Sequence, residues 1–492
     1  MRAPRGAKVA AVCAAVVVTG LLPLSTAAAS GPDPVPGECT PTGHQLRYLV
    51  VFDPGTVEQT AKSQIGAACG ATTIYYPQIA VAVATTEDSH FDDRIGPERA
   101  FSAQRLAETD DGTAHRRKAD ETHASKSTHA TEQVSTVDRA DDQWDMRMIG
   151  ADKAHLLLEG SKDVVVGVLD SGVDAKHPDL ADAVAANKSA GCLSGKPDTS
   201  PKAWAPTGSA HGTHVAGIIA AADDGKGVAG VAPGVRIASV KVVDDDGLIY
   251  PEAAVCGLMW AAKQHMTVTN NSYFVDPWLL TCDHDGSEGV VYEAVRRAVR
   301  YSTQQGVATV AAATNEATDL SDPQAQPTSD STVGTDQADR QLDRGCKVLP
   351  AGLRDVIAVS AVGENGVKAG YSSYGLGVVD VTAPGGEFTR SATDPNSECV
   401  LSTVPGGYDR FCGTSMAAPH ATGVVALLAS RHPGSTPREL ATMLTGEASQ
   451  VPCPADYDLN GTGTQDGYCT GYGPYNGFYG HGLVNALAAV TG

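Results

Sequence analysis

The stretch GTSMAAPH, residues 413–420, runs directly into the apolar segment ATGVVALLASRHP. How Ser415 is read decides the fold. A serine just before a helix-period apolar run usually caps that helix, because its hydroxyl accepts from an orphan N–H of the first turn. The same serine is a candidate nucleophile. The octapeptide alone leaves both readings open, since a motif is only a hypothesis until its partners are found elsewhere in the chain.

The candidate partners lie upstream. The run DVVVGVLD (163–170) ends in Asp170, followed by Ser171-Gly172, which sets a carboxylate where a strand gives way to a turn. The stretch SAHGTH (209–214) opens an apolar helix and sets an imidazole at its N-terminus. A His-x-x-His pair also suits a metal, but no glutamate follows His211 as zinc hydrolysis requires, and one histidine of the pair is expected to be structural. Asp, His and Ser in that order meet the needs of acyl transfer. Serine is a weak nucleophile until an imidazole takes its proton, and the imidazole needs a carboxylate to hold its tautomer and stabilise its cation.

From Trp144 onward apolar strands alternate with amphipathic helices: DVVVGVLD, HVAGIIAAA, RIASVKVV, AAVCGLMWAAKQ, MTVTNN, EAVRRAVRYSTQQ, VATVAAAT and VIAVSAV. Continuous apolar strands between helices predict an α/β fold, with a mostly parallel central sheet and helices on both faces. Sites in such sheets form at the carboxyl ends of the strands.

Four segments, VLDSGVDAKHPDL, HGTHVAGIIAA followed by GVAGVAP, VAAATNEA, and GTSMAAPH, resemble the subtilisin-like serine proteases. The resemblance covers nearly everything from Trp144 to Gly492. It implies Asp170, His211 and Ser415 as the triad, with His211 rather than His214 as the base. It also implies Asn315 as the side-chain donor to the tetrahedral oxyanion, beside the Ser415 backbone N–H. The helix starting at Ser415 is expected to add its positive end, so that cap and nucleophile are one position. The family usually has glycine where Thr314 stands.

The resemblance extends to substrate contacts. The family usually carries a serine, an apolar residue and two glycines in the strand bordering the pocket for the side chain that precedes the cut. The matching residues here are Ser272, Tyr273, Phe274 and Val275, and the opposite substrate-pairing strand is expected at Asp246-Gly247-Leu248-Ile249. Phenylalanine and valine bring bulk where glycine lets the substrate approach closely. A narrower side-chain preference is the expectation.

Calcium is implied on the same basis, held by Asp179 and Asp224 with carbonyl oxygens of Ala222, Lys226 and Val228, because hard oxygens around a turn suit that ion. A loop that works without metal is the alternative. The run from Asp456 to Gly461 copies the first half of an EF-hand loop but lacks its final glutamate, and reads as a solvated turn. No organic cofactor is implied.

The 492 residues include 53 glycines and 28 prolines and carry a formal net charge of -21, which disfavours nucleic acid as a partner because phosphate binding draws on lysine and arginine. Residues 1–29 read as a secretory signal peptide, with Arg2, Arg5 and Lys8 before an apolar run and Ala27-Ala28-Ala29 after it; the run is short and broken by Pro23, so a membrane span is disfavoured. Ten of the 11 cysteines lie beyond that segment, an even number that suits an oxidising compartment. Cys453 with Cys469 and Cys399 with Cys412 are the preferred short-loop pairs, and a buried free thiol is the alternative for Cys256.

Residues 30–106 hold strand-like runs, RYLVVF and TTIYYPQIAVAVAT, around a helix-compatible stretch, which predicts a small α+β domain. By resemblance it is an inhibitory prosegment, with a constitutive binding module as the alternative. Residues 107–143 are almost without large apolar side chains and read as a flexible, cleavable linker, and its His115, His123 and His129 as solvated residues. The catalytic domain is then 144–492. The expectation is a secreted, self-processing monomeric endopeptidase acting on proteins or peptides and free of the membrane once mature. The rivals are a catalytically silent peptide binder and an esterase or acyl-transferring enzyme with the same triad.

Overall fold

The computed structural model describes residues 39, 41–108, 132–134, 137–284, 286–325, 342–388, 398–459 and 467–492. The expected signal peptide and the linker histidines lie outside the described residues.

The N-terminal unit is α+β. Strand β1 (Pro41–Val51), helix α1 (Glu58–Ala67), β2 (Ala71–Tyr76), β3 (Val81–Asp88) and the short β4 (Ala100–Phe101) form an antiparallel sheet in the order β2-β3-β1-β4. Strand alternation gives this sheet two apolar faces. Leu46, Tyr48 and Val50 close over Ala61, Ile65 and Phe91 on one side, while Leu49, Val81 and Val83 face the main body on the other.

The main body is the predicted α/β sandwich. Its strands are β5 (Val165–Asp170), β6 (Ala190–Gly191), β7 (Arg236–Lys241), β8 (Val268–Asn271), β9 (Ala308–Ala312), β10 (Val356–Val362) and β11 (Val381–Pro384). They lie in the order β11-β10-β9-β8-β5-β7-β6, and every neighbouring pair is parallel. Helices α2 (His211–Ala220) and α5 (Thr414–Arg431) cover one face, where Val166 and Val168 point. Helices α3 (Pro251–Lys263) and α4 (Gly286–Gln304) cover the other, where Val165 and Leu169 point. Helix α5 is buried from Thr414 to Ala429, as a helix apolar all round must be. Leu427 and Leu428 are wholly inside, each contributing about 1.5–3 kcal/mol by burial.

The N-terminal sheet sits on α3 and α4 and is clamped there by polar contacts. Arg297 Nη1 on α4 donates to the carbonyl oxygens of Phe52 at 2.8 Å and Ile79 at 3.0 Å. Arg47 Nη1 donates to Leu193 O at 2.8 Å and to Glu252 Oε1 at 3.2 Å. Phe101 packs against Trp278 with ring centroids 5.2 Å apart.

The end of the expected linker is structured. Glu132–Gln133 pairs with the edge of the hairpin β12 (Val400–Val404) and β13 (Gly407–Phe411), and the Arg139 N–H donates to Gly227 O at 2.8 Å. Edge pairing uses backbone groups alone, so a composition poor in apolar side chains does not exclude it.

Five disulfides join Cys39–Cys69, Cys192–Cys256, Cys282–Cys346, Cys399–Cys412 and Cys453–Cys469. Both preferred short-loop pairs are present. Cys256 is bridged to Cys192 rather than free, because α3 packs under the loop after β6.

Candidate active site

Asp170 ends β5 and is 1% exposed. His211 begins α2, and its Nδ1 lies 2.8 Å from Asp170 Oδ1 and 3.0 Å from Oδ2. The next residue has to be glycine. A Cβ on Gly212 would sit 2.5 Å from Gly172 O and 3.0 Å from Asp170 Oδ1, so any side chain would push the helix away from the carboxylate. Burial alone would lower the His211 pKa, but the Asp170 charge and hydrogen bond outweigh it and hold the imidazole above its ordinary value.

His214, one turn along α2, is in a different environment. Its Nε2 lies 3.1 Å from the carbonyl oxygens of Val400 and Asp409, and its ring stacks on Phe411 at 4.3 Å. Burial, with His211 nearby, pushes its pKa down to about 3. It is a neutral packing residue, the structural member of the histidine pair.

Ser415 is the second residue of α5, and the N-cap position belongs to Gly413. The expectation that cap and nucleophile position coincide is therefore corrected by two residues: Ser415 lies inside the first turn, where its backbone N–H has no intrahelical acceptor. Its hydroxyl donates to Ser272 O at 3.3 Å rather than to His211. Catalytic hydrogen bonds are often open before substrate binds.

Asn315 follows β9. Its Oδ1 accepts from the Thr414 N–H and from the Thr414 hydroxyl, both at 2.8 Å. The oxygen end of the amide is thus held at the start of α5. Thr414 was not evident from the sequence, where its only signal is adjacency to Ser415. Thr314 has φ +80°, the left-handed conformation that glycine would adopt freely.

The expected substrate segments are brought near one another but not as two extended strands. Gly247 (φ +84°) and Leu248 lie in a closed turn, in which the Leu248 N–H donates to Asp244 Oδ1 at 2.9 Å and Leu248 O accepts from the Asp244 N–H at 3.0 Å. The Asp276 N–H donates to Ile249 O at 3.0 Å, and the Ile249 N–H to Asp276 Oδ2 at 2.7 Å. Ser272 Oγ donates to Ser415 O, and Tyr273 Oη donates to Asn271 Oδ1 from a buried position. Val275 is fully buried and Phe274 half-buried against the α3–α4 side of the core.

Of the expected calcium ligands, Asp179 is buried and its carboxylate accepts from the Tyr408 hydroxyl, at 3.0 and 3.2 Å, and from the Val228 N–H at 3.1 Å. Burial, with Asp224 across the loop, raises its pKa, and among the described residues no lysine or arginine pairs with it. Ala222 is tied to Asp179 through backbone, N–H to O at 2.8 Å. Asp224 is exposed, accepts from the Lys226 N–H at 3.1 Å and lies 3.6 Å from the Lys226 ammonium. In the EF-hand-like run, the Asp458 N–H donates to Asp456 Oδ1 at 3.1 Å, a simple turn; Asn460 and Gly461 lie outside the described residues.

No helix among the described residues is long and apolar enough to cross a membrane. Residues 161–482 match the model of the Subtilase family, Peptidase_S8. The chain is 32% identical to subtilisin E of Bacillus subtilis (strain 168) over 347 residues, 70% of each protein. It is also 32% identical to fervidolysin of Fervidobacterium pennivorans over 346 residues, 67% of this chain and 42% of the relative. Among solved structures, the epidermin leader peptide processing serine protease of Staphylococcus aureus superposes with TM-score 0.65 at 20% identity, covering 91% of this chain and 98% of that one, which is a likeness of fold. A protease of Pseudoalteromonas arctica PAMC 21717 superposes with TM-score 0.52 at 28% identity over 73% of this chain and 98% of that one. The match over most of the main body, at the strands and helices that carry Asp170, His211, Asn315 and Ser415, means that the chain belongs to the subtilase family of serine peptidases.

Proposed function

We propose that this chain is a secreted serine endopeptidase made as a zymogen, which cuts peptide bonds through an acyl-enzyme on Ser415. The observation that carries the reading is the His211–Asp170 pair at the carboxyl end of β5, opposite a helix whose first turn contains Ser415 and anchors Asn315.

In this mechanism His211 Nε2 takes the Ser415 proton as Oγ attacks the substrate carbonyl carbon. Asp170 fixes the imidazole with Nδ1–H toward the carboxylate and stabilises the imidazolium that forms. The oxyanion accepts from Asn315 Nδ2 and the Ser415 N–H, aided by the positive end of α5. His211 then passes its proton to the leaving amine, and water repeats the sequence to release the acid. The segments at 246–249 and 272–275 border the substrate on the acyl side, with Gly247, Leu248, Ser272, Tyr273 and Phe274 as its contacts.

The N-terminal unit acts as an intramolecular inhibitor docked on α3 and α4, and the segment between it and Trp144 is where the chain cuts itself. The large polar clamp at Arg47 and Arg297 supports that reading, and five disulfides suit secretion. The mature enzyme is a monomer. The loop from Ala222 to Val228 with Asp179 fits a hard cation, because a buried carboxylate raised by burial and by a second carboxylate is relieved by positive charge. Calcium there would hold the loop against β13, and no catalytic step needs it.

The test is secretion of the chain, N-terminal sequencing of the product, and casein hydrolysis with and without a serine-directed inhibitor. Inhibitor-sensitive hydrolysis and a new N-terminus between residues 107 and 143 are expected. A fully secreted protein that binds peptides without cutting them would make the silent-relative reading the correct one.

A further inference from the structure

Thr314, at φ +80°, precedes the oxyanion candidate Asn315, and a β-branched residue adopts that conformation only when its surroundings hold it there. The holding group is Ser373. The Thr314 hydroxyl donates to Ser373 Oγ at 2.8 Å, and the Ser373 N–H donates to Thr314 O at 3.0 Å. The same Ser373 Oγ accepts from the N–H groups of Glu316 and Thr318, both at 3.3 Å. Further along, the Ala317 N–H donates to Tyr371 O at 2.8 Å and the Tyr374 N–H to Thr318 O at 2.9 Å. Ser373 is fully buried, so it does not meet substrate. Ser373 therefore holds the chain on both sides of Asn315, through its N–H and hydroxyl at Thr314 and its hydroxyl at 316 and 318, while Thr414 grips the Asn315 Oδ1.

We propose that Ser373 is a positioning residue for Asn315: its hydroxyl holds the 314–318 loop in the left-handed turn that directs the Asn315 amide, and it supports a threonine where glycine would need no support. The inference rests on the reading of Asn315 as oxyanion donor. Such donors act by being in place before charge develops, so a loosened loop lowers kcat and leaves ground-state binding nearly untouched.

The experiment measures kcat and KM of the self-processed enzyme on a chromogenic peptide. Ser373→Ala is expected to lower kcat about tenfold or more, with KM within about twofold of wild type. Thr314→Val, which removes the hydroxyl at nearly constant shape, should do the same and stands in if Ser373→Ala fails to fold. Adding Thr314→Gly to Ser373→Ala should return kcat to within about threefold of wild type, since glycine adopts the turn unaided. In an Asn315→Ala background, removing the Ser373–Thr314 contact should change kcat less than about twofold. Unchanged kcat in both contact-breaking variants overturns the proposal, as does an equal loss with and without Asn315. An Asn315→Ala enzyme with full kcat removes the oxyanion reading itself and the proposal with it, a result distinct from the other two.

Discussion

Ser272 and Ser415 exchange hydrogen bonds: the Ser272 hydroxyl donates to Ser415 O at 2.9 Å, and the Ser415 hydroxyl donates to Ser272 O at 3.3 Å. Pro419 explains why the Ser415 carbonyl is available. In a regular helix that carbonyl accepts from the N–H four residues on, and proline has none. The proline of GTSMAAPH thus frees an acceptor that the residue after β8 captures, which anchors the Ser415 backbone to the central sheet. The longer, weaker bond from the Ser415 hydroxyl leaves it able to turn toward His211.

If the proposed mechanism holds, Ser415→Ala should abolish peptide hydrolysis and also leave the N-terminal unit attached, because one nucleophile would perform both cuts. The expected loss in kcat is roughly 10⁶-fold, a size known for the equivalent knock-out in subtilisin and not obtained from this chain. Mass spectrometry of the protein secreted from a protease-deficient host checks the processing. A fully trimmed Ser415→Ala protein would contradict self-cleavage.

The pH profile follows from His211. The base must be neutral, and Asp170 holds the imidazolium form above the ordinary 6.5 despite burial, so kcat/KM should fall on the acid side with a midpoint above 6.5. Asp170→Asn removes the charge that raises the pKa. Its acid limb should move to lower pH while kcat drops by about 10⁴-fold through loss of the correct tautomer, the magnitude known from serine proteases generally. A rate that stays flat from pH 8 to about pH 4, well below the ordinary imidazole range, would exclude His211 as the base.

Phe274 should restrict the residue accepted before the cut. Val275 has turned its bulk into the core, which leaves the half-buried Phe274 as the side chain able to border that pocket. Phe274→Gly is expected to raise kcat/KM for large aromatic residues at that position by about tenfold relative to small ones. A cleaved-peptide library reads this out, and an identical profile in both proteins would show that the ring faces elsewhere.

Arg47→Ala should loosen the N-terminal unit. The substitution leaves Glu252, 4% exposed on α3, without its cation, and burial already raises that carboxyl's pKa. The expected loss is about 1.5–3 kcal/mol of docking, as for hydrogen bonds to charged groups. In the uncut Ser415→Ala protein this appears as faster clipping of residues 39–108 by an added protease. Restoring the interface with Glu252→Gln in the Arg47→Ala background should reverse part of it, because a neutral amide tolerates burial better than an unpaired carboxylate.

What the sequence determined by itself was local. Strand and helix periods predicted the α/β body, and Asp170, His211, Asn315 and Ser415 could be named because the short motifs around them, DSG, HGTH, TNE and GTSM, resemble those of the subtilisin-like family. Tertiary structure decided how those ends are held. The Thr414 grip on Asn315, the Ser373 support of Thr314, the Ser272–Ser415 exchange and the Cys192–Cys256 bridge all join residues far apart in the chain. Residue 244 reaches 248 within one turn, but whether that turn opens into a strand depends on Asp276 occupying the Ile249 backbone from 27 residues away. Such contacts leave no period in the sequence, because a hydroxyl or carboxylate can satisfy whichever backbone group the folded chain brings within about 3 Å, and only packing selects which one that is.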